Sequence, residues 1–278
     1  VTRIFEIVIG PTQRFTLSTD TADLVKHMKV SGDVDNKLFF DNMSFSAAMN
    51  KEAEPFIKIL RDSSTSGDQK SEARKQFTMI NEKVLAFQDR LINENPSTLT
   101  ARILKATRPL QIPDPPRQKD GSIDSTFQLR WYRAHFFDNF DLSDDAFLRL
   151  PRPVYKEKMT EYLDRLWAPQ ADTLKKALDL IIAKAKKNPE TYKYAVFQAV
   201  LKFQNPEIMG LDEVFVHIND KYFATGQTDY WANAQMRKNV ADQAERLRKS
   251  LIGQKGANLI MQDSNLKPRA LYDLKNKY

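Results

Sequence analysis

Hydrophobic residues recur with a helical period along most of the chain, from about residue 50 onwards. One stripe, spaced alternately by four and three positions, consists of Ala73, Phe77, Ile80, Val84, Phe87 and Leu91. Such spacing places all six side chains on one face of a helix. The pattern returns at Leu174, Leu178, Ile181 and Ala185, at Val196, Val200 and Phe203, and at Val240, Ala244, Leu247 and Leu251. The chain is therefore predicted to be mainly α, a bundle-like domain of several antiparallel helices.

Asparagine–proline pairs mark three predicted helix starts, at Asn95-Pro96, Asn188-Pro189 and Asn205-Pro206. An asparagine side chain accepts hydrogen bonds from the free amides of a first helical turn, and proline fits that turn because it has no amide to leave unpaired. Between the first and second of these pairs, residues 108–124 are rich in proline. We expect an extended connection there.

The two ends of the chain carry strand-like patterns instead. Residues 3–9 and 14–18 favour a hairpin or the end of a sheet, and residues 257–261 favour a short strand, followed by a turn at 262–267 and a helical turn at 269–274. Two strands alone bury too little apolar surface to be stable. We therefore expect three segments. Residues 1–45 are the end of an N-terminal β domain, residues 46–252 a helical domain, and residues 253–278 a separate C-terminal segment.

The composition excludes some kinds of chemistry and some kinds of partner for this chain. It contains no cysteine, which excludes disulfides and thiolate nucleophiles within these residues. The net charge is +7, but 43 basic residues are interleaved with 36 acidic ones and no nucleic-acid motif accompanies them. We therefore expect no nucleic-acid partner. No apolar run is long enough for a transmembrane segment, and no targeting signal opens the chain.

Four aspartates, Asp138, Asp141, Asp144 and Asp145, raise the question of a calcium site. Their spacing lacks the alternating oxygen ligands, central glycine and final glutamate of a calcium loop. Capping of a helix over residues 146–150 by Ser143 or Asp144 explains the cluster better.

The three histidines, His27, His135 and His217, lie far apart and form no zinc-ligand pattern. His135, beside two phenylalanines, is interpreted as a hydrogen-bonded residue at the edge of the core. No phosphate loop, dinucleotide fingerprint or serine-hydrolase elbow is present. The sequence thus assigns no catalytic, cofactor-binding or metal-binding residue and implies no cofactor.

Two further features have a structural and a functional interpretation. Residues 130–137 combine Trp131 with other rings and basic residues, as a helix facing the core would, or as a peptide- or glycan-binding surface would. The last long helix is basic at Arg237, Lys238, Arg246, Arg248 and Lys249. Asp242 and Glu245 favour a solvated face with pairs three and four residues apart, and a docking face for a neighbouring domain is the alternative.

The residues after the last helix carry a family resemblance. Three stretches resemble the lead-in to thioredoxin-like domains of the TlpA and ResA kind. They are Leu251-Ile252-Gly253-Gln254-Lys255-Gly256-Ala257-Asn258-Leu259, Met261-Gln262-Asp263 and Leu271-Tyr272-Asp273-Leu274-Lys275. In that family the lead-in supplies an opening hairpin and a short helix, with a core strand and a Cys-x-x-Cys turn next. The sequence ends before either, so none of the family's catalytic cysteines has a counterpart here.

The middle of the chain resembles a second family, on three stretches. These are Trp131-Tyr132-Arg133-Ala134-His135-Phe136-Phe137-Asp138-Asn139-Phe140-Asp141, Met209-Gly210-Leu211-Asp212-Glu213-Val214-Phe215-Val216-His217, and Asp229-Tyr230-Trp231. They are similar to an uncharacterised helical domain that precedes thioredoxin-like domains in envelope proteins of anaerobic Gram-negative bacteria. The opening Arg14-Phe15-Thr16-Leu17-Ser18-Thr19-Asp20-Thr21 is similar to the end of the small β domain often found upstream.

These resemblances imply a non-catalytic accessory region of an envelope thiol–disulfide oxidoreductase. It would lie in the periplasm or outer cell envelope, and its partners would be its own C-terminal thioredoxin-like domain and other envelope proteins. The alternative is an independent peptide- or glycan-binding helical module that uses the segment around Trp131. A carboxylate-based enzyme is a third hypothesis, although no pair of acidic residues stands out.

Overall fold

The computed structural model describes residues 4–10, 14–117, 120–256 and 258–273. They form two compact units. The first comprises the described residues up to Gln111 together with Asp138–Phe140, and the second comprises Ile112–Phe137 and the described residues from Asp141 on. Nine α-helices and two small antiparallel sheets make up the described part, which confirms the mainly α prediction. None of the helices described is both long and apolar enough to cross a lipid bilayer.

The first unit opens with a small hairpin in which β1 (Thr16–Ser18) pairs with β2 (Lys29–Ser31). A strand within 14–18 is thus confirmed, but its expected pairing with residues 3–9 is wrong. Residues 4–10 form no strand, and Val8 instead bonds to one side chain: the Asn36 amide accepts from the Val8 amide at 2.8 Å and donates to the Val8 carbonyl at 2.7 Å. Asn36 thereby satisfies the backbone groups that a neighbouring strand would otherwise use.

Three helices complete this unit: α1 (Val34–Arg61), α2 (Gly67–Glu94) and α3 (Leu99–Thr107). The Asp33 side chain caps α1 by accepting a hydrogen bond from the backbone amide of Asn36 at 2.8 Å. The helix therefore begins before the segment boundary predicted between residues 45 and 46. That three-segment division remains a prediction. The apolar stripe of α2 is confirmed, since Ala73, Ile80 and Leu91 are buried and its other members are half-buried.

The helix start predicted at Asn95-Pro96 is wrong. Asn95 ends α2, with its amide bonded to the Leu91 carbonyl. The following helix begins at Leu99 because the Thr98 hydroxyl accepts from the Ala101 amide at 3.2 Å, which makes threonine the capping residue.

The second unit contains six α-helices: α4 (Phe127–His135), α5 (Val154–Arg165), α6 (Ala171–Ala185), α7 (Pro189–Phe203), α8 (Asp212–Ile218) and α9 (Ala234–Arg248). Its core contains the predicted stripes of α6 and α7, which are buried throughout. In the stripe of α9, Val240 and Ala244 are buried, whereas Leu247 and Leu251 are half-buried. Outside these helices, the described part of 108–124 contains no helix, only one isolated bridge between Arg117 and Ile123.

The two remaining predicted helix starts have opposite outcomes. Asn188 caps α7 and Pro189 is its first residue, as expected. No helix begins at Asn205-Pro206. The chain turns there through Gly210, whose φ of +88° is incompatible with a right-handed helix, and α8 begins only at Asp212.

The chain then forms a second hairpin, in which β3 (Ile260–Gln262) pairs with β4 (Pro268–Ala270). A short 3₁₀ turn, Leu271–Asp273, follows. The strand predicted at 257–261 is confirmed at Ile260 and Met261, and the helical turn predicted at 269–274 is confirmed at Leu271–Asp273. For Arg269 and Ala270 that helical turn is wrong, because both residues belong to β4. Ala257 and Leu274 lie outside the described residues.

Candidate functional site

Three of the four aspartates considered for calcium, Asp141, Asp144 and Asp145, make local contacts. Asp144 caps the 3₁₀ helix Asp145–Leu148 by accepting from the Ala146 amide at 3.1 Å, and Asp141 accepts from the Ser143 amide at 2.8 Å. The carboxylate of Asp145 pairs with Arg149 at 2.7 Å. Helix capping by Asp144 is thereby confirmed. Among the described residues, no group of three or more histidine, aspartate or glutamate side chains is arranged to hold a metal ion.

The three histidines remain separate and meet different partners. In the first unit, His27 lies 2.6 Å from Asp20. In the second, the half-buried His135 stacks on Trp131 with 4.2 Å between ring centroids, and His217 contacts Asp179 at 2.9 Å. Only the last contact belongs to a larger group of polar side chains.

That group, the Asp179 cluster, consists of Asp179 on α6 and three side chains that converge on its carboxylate. Oδ1 accepts from the Tyr222 hydroxyl at 2.5 Å and lies 2.9 Å from His217 Nε2. Oδ2 accepts from Lys221 Nζ at 2.7 Å. The side chain of Asp179 is only 25 % exposed and that of His217 only 24 %. A carboxylate with so little access to water needs hydrogen-bond donors to remain charged, and the three side chains that converge on Asp179 provide them.

The backbone beyond α8 brings these donors to one side. Residues Asn219–Phe223 form a π turn, closed by a 2.8 Å bond from the Ala224 amide to the Asn219 carbonyl. His217, Lys221 and Tyr222 then face α6 together. Such π turns are rare and often occur at functional sites, which makes this cluster the strongest polar candidate in the second unit.

The electrostatics of the cluster follow from its hydrogen bonds. Partial burial raises the pKa of Asp179, but the bonds from Lys221, Tyr222 and His217 outweigh it and hold that pKa below its ordinary value. The pKa of the Tyr222 hydroxyl is raised well above its usual range. Burial is the larger cause, and the hydrogen bond to Asp179 is the second. Asp179 is therefore ionised and Tyr222 neutral at neutral pH.

A second contact joins the same two helices one turn earlier. Lys175 Nζ on α6 lies 2.6 Å from Glu213 on α8 and 2.8 Å from Asp172. Lys175 and Glu213 are separated by 38 residues, the same separation as Asp179 and His217. The charged pairs thus repeat along two parallel helices, and they fix the position of α8 on α6.

Chemically, the arrangement serves positioning better than catalysis. Both oxygens of Asp179 are engaged by donors, and the high pKa of Tyr222 makes its hydroxyl a poor nucleophile. Spacing along the sequence does not reveal this cluster, because Asp179 is 38 to 43 residues away from the three side chains that contact it. One signal was available: Asp179 interrupts the apolar stretch Leu178-Asp179-Leu180-Ile181-Ile182, and a charge there requires a partner.

The aromatic segment predicted around Trp131 packs within the second unit. Phe136 and Phe137 are buried against Tyr162, with 5.3 and 4.8 Å between ring centroids. Arg133 lies 4.4 Å above the Trp167 ring. These contacts favour the core-facing interpretation, although Trp131 itself is only half-buried.

The basic residues of α9 are largely paired. Glu245 contacts Arg248 at 3.7 Å and Lys249 at 3.8 Å, which confirms the expected pairs within the helix. Arg248 also reaches Asp220 at 2.6 Å, and Arg237 reaches Asp229 at 2.5 Å. Docking of another domain on this face stays a prediction.

A comparison with known protein families finds a match to part of the second unit. Residues 122–246, from the loop before α4 to the last turn of α9, match the model of a domain of unknown function (DUF5106). The expected resemblance of the middle of the chain to an uncharacterised helical domain is supported for these residues. No curated protein and no solved structure matches the chain.

Proposed function

We propose that this chain is a non-catalytic accessory region of an envelope thiol–disulfide oxidoreductase of the thioredoxin-like family. It positions the redox domain or helps that domain recognise its protein partners. The observation that carries the proposal is the β3–β4 hairpin, which is well formed but leaves its apolar side chains in solvent.

The hairpin is ordered by its own hydrogen bonds. The Asp263 amide donates to the Lys267 carbonyl at 2.9 Å, and the Leu271 amide donates to the Leu259 carbonyl at 2.8 Å. Within the turn, the Asp263 carboxylate accepts from the Asn265 amide at 2.9 Å. Its shape is therefore specified locally, without help from the helices.

Each face of the hairpin carries exposed apolar side chains. Ile260 and Met261 point to opposite faces because they are adjacent in a strand, and each is 69 % exposed. Leu259, Leu266, Leu271 and Tyr272 are also exposed. A two-stranded hairpin that exposes apolar side chains on both faces is expected to be completed by a larger sheet or another domain.

The edges of the hairpin differ in what they offer to a further strand. Leu259 and Asp263 direct their backbone groups to β4, so those of Ile260 and Gln262 point away from it. On the other edge, Pro268 has no amide to donate. We infer that a neighbouring sheet continues from β3, and that β4 remains at its edge.

The sequence supports the same proposal. The segment resembles the lead-in of TlpA- and ResA-like domains, and the chain has no cysteine, so any thiolate would come from outside these residues. The envelope location and the C-terminal thioredoxin-like partner rest on this resemblance.

A kinetic comparison tests the proposal on the longer natural protein. The intact protein and a variant lacking residues 34–252, a deletion that removes α1 whole, are assayed with a small generic disulfide and with protein disulfides. A small substrate needs only an accessible, low-pKa cysteine, whereas a protein partner also depends on the surface beside it. We expect equal rates with the small disulfide and different rates with at least one protein substrate.

The small disulfide also serves as the control for folding of the redox domain. Equal rates with every protein substrate would remove the recognition role. A natural protein without any cysteine-bearing domain would overturn the proposal altogether.

A further inference from the structure

We propose that the second unit binds one water molecule in its interior, between the hydroxyl groups of Tyr192 and Thr228. This water is a structural ligand, which pairs both hydroxyls and joins the first turn of α7 to the turns that follow Asn219–Phe223. The inference concerns the second unit alone and does not depend on the accessory role proposed above.

The two hydroxyls are buried polar groups that the rest of the unit leaves unpaired. Tyr192 is 3 % exposed and Thr228 is 0 % exposed. Among the described residues, neither hydroxyl oxygen has a hydrogen-bond partner. A buried hydroxyl without a partner is costly, and native proteins pair the large majority of such groups with protein atoms or with ordered water. Both hydroxyls therefore require a partner that is not a protein group.

Contacts on either side of Thr228 hold its turn against Tyr192. Before it, the Gln227 side chain accepts from Lys186 Nζ at 2.8 Å, and the same Nζ lies 5.9 Å from the centre of the Tyr192 ring. After it, the Tyr230 ring stacks on the Tyr192 ring with 6.5 Å between centroids. Thr228 lies between these two contacts in the sequence, so its buried hydroxyl and that of Tyr192 belong to the same region of the interior.

The turn that carries Thr228 contains a further polar group of the same kind. The Thr228 carbonyl accepts from the amides of Trp231 at 3.1 Å and of Ala232 at 2.8 Å, which closes the turn. The indole N–H of Trp231 is buried, and it too lacks a partner within the part of the chain that the structure describes. Unpaired polar groups thus concentrate in one turn and on the α7 residue against which that turn is held.

The chemistry of these groups selects water as the ligand. A hydroxyl both donates and accepts, an indole N–H only donates, and all three groups are neutral. Burial raises the pKa of Tyr192 to about 12, so its hydroxyl keeps its proton at neutral pH. A buried ion would need a countercharge, which neutral groups do not provide. A water molecule makes about two to four hydrogen bonds to buried polar groups, and it both donates and accepts.

Isosteric removal of each hydroxyl tests the proposal. Thr228→Val and Tyr192→Phe keep the shape of the side chain, and unfolding of the full chain in urea is followed by circular dichroism. Removing a truly unpaired hydroxyl would be neutral or stabilising, because a buried polar group disappears. Removing one that bonds to a bound water loses that bond. We therefore expect each variant to raise the unfolding equilibrium constant by about three- to tenfold.

The double variant distinguishes one shared water from two separate ones. Once the first hydroxyl is removed, the water is held by fewer bonds, so removal of the second costs less. We expect the two effects to fall clearly short of multiplying. Tyr194→Phe, a hydroxyl removal at a half-buried residue of the same helix, is the matched control and is expected to leave the unfolding equilibrium constant unchanged.

A crystal structure of the full chain locates the water directly. We expect a water oxygen within about 3 Å of both hydroxyl oxygens in the wild type, and its loss in the double variant. The proposal is overturned by single variants that are neutral or stabilising, by effects that multiply in full, or by a crystal structure without a water between the two hydroxyls.

Discussion

The carboxylate of Asp179 accepts a 2.5 Å hydrogen bond from the hydroxyl of Tyr222, a residue 43 positions further along the chain. This bond joins α6 to the π turn after α8, and His217 and Lys221 reach the same carboxylate. The second unit is therefore held by one charged cluster as well as by its apolar stripes.

Removing the acceptor is expected to destabilise the second unit. Asp179→Ala leaves the Tyr222 hydroxyl without its partner in a largely buried position, and we expect a loss of about 2–4 kcal/mol in the free energy of unfolding. Tyr222→Phe removes one charge-assisted bond and is expected to cost about 1.5–3 kcal/mol. Urea denaturation followed by circular dichroism measures both.

Asp172→Ala is the matched control for the Asp179 cluster. Asp172 lies on the same helix and contacts Lys175, but its side chain is 86 % exposed. An exposed pair of this kind contributes little to stability, because the solvent screens it. If Asp179→Ala were as mild as Asp172→Ala, the cluster would not hold α8 on α6.

The low pKa of Asp179 predicts a dependence of stability on pH. A group whose pKa is lower in the folded state contributes stability that is fully present above its unfolded value, about 3.9, and that is lost as the pH falls through the folded value. Unfolding free energies of the wild type and Asp179→Asn are compared between pH 7 and pH 3. The difference between the two proteins is expected to be largest at neutral pH and to narrow in acid; a constant difference would contradict a lowered pKa.

The stripe of α2 gives a graded prediction for the first unit. Ile80 is buried, so Ile80→Ala is expected to cost about 2–5 kcal/mol in unfolding free energy. Phe77 belongs to the same stripe but is only half-buried, and Phe77→Ala should cost less than the 3–5 kcal/mol of a fully buried ring. Lys83→Ala is the mild comparison, because it removes only a solvent-screened pair with Glu52 of α1, at 2.9 Å. A denaturant series in which Ile80→Ala were as mild as Lys83→Ala would remove the evidence for a buried stripe.

Local periodicity was sufficient to predict α2, α6, α7 and α9, whereas the first turns of α1 lie in a segment that was expected to end a β domain. Local chemistry marked some of the helix ends. The four-and-three spacing identified the buried faces of α2, α6 and α7, and Asn188-Pro189 marked the start of α7. Asn95 had the same local pattern but ends a helix, because Thr98 provides a better cap three residues later. Capping depends on which of several neighbouring side chains reaches the free amides, and a dipeptide alone does not determine that.

Contacts between distant segments could not be predicted from spacing along the sequence. The Asn36 side chain engages Val8 across 28 residues, and this replaced the expected strand at 3–9. The Asp179 cluster likewise depends on the π turn at Asn219–Phe223, which inserts one residue into the helical spacing and has no recognised sequence pattern. A rule based on spacing cannot anticipate such an insertion.

For function, the chain alone is expected to be inactive in thiol exchange. Disulfide exchange proceeds by thiolate attack, and this chain has no cysteine. In an insulin-reduction assay with dithiothreitol, the purified chain should give the rate of buffer. Acceleration above that rate would require a mechanism without a protein thiol and would contradict the accessory interpretation.

The reading frame beyond the codon for Tyr278 in the natural gene tests the central claim most directly. The account predicts that it continues into an apolar core strand followed by a Cys-x-x-Cys turn, which would supply both the sheet for β3 and the missing thiolates. A stop codon at that position, or a continuation without cysteine, would contradict it.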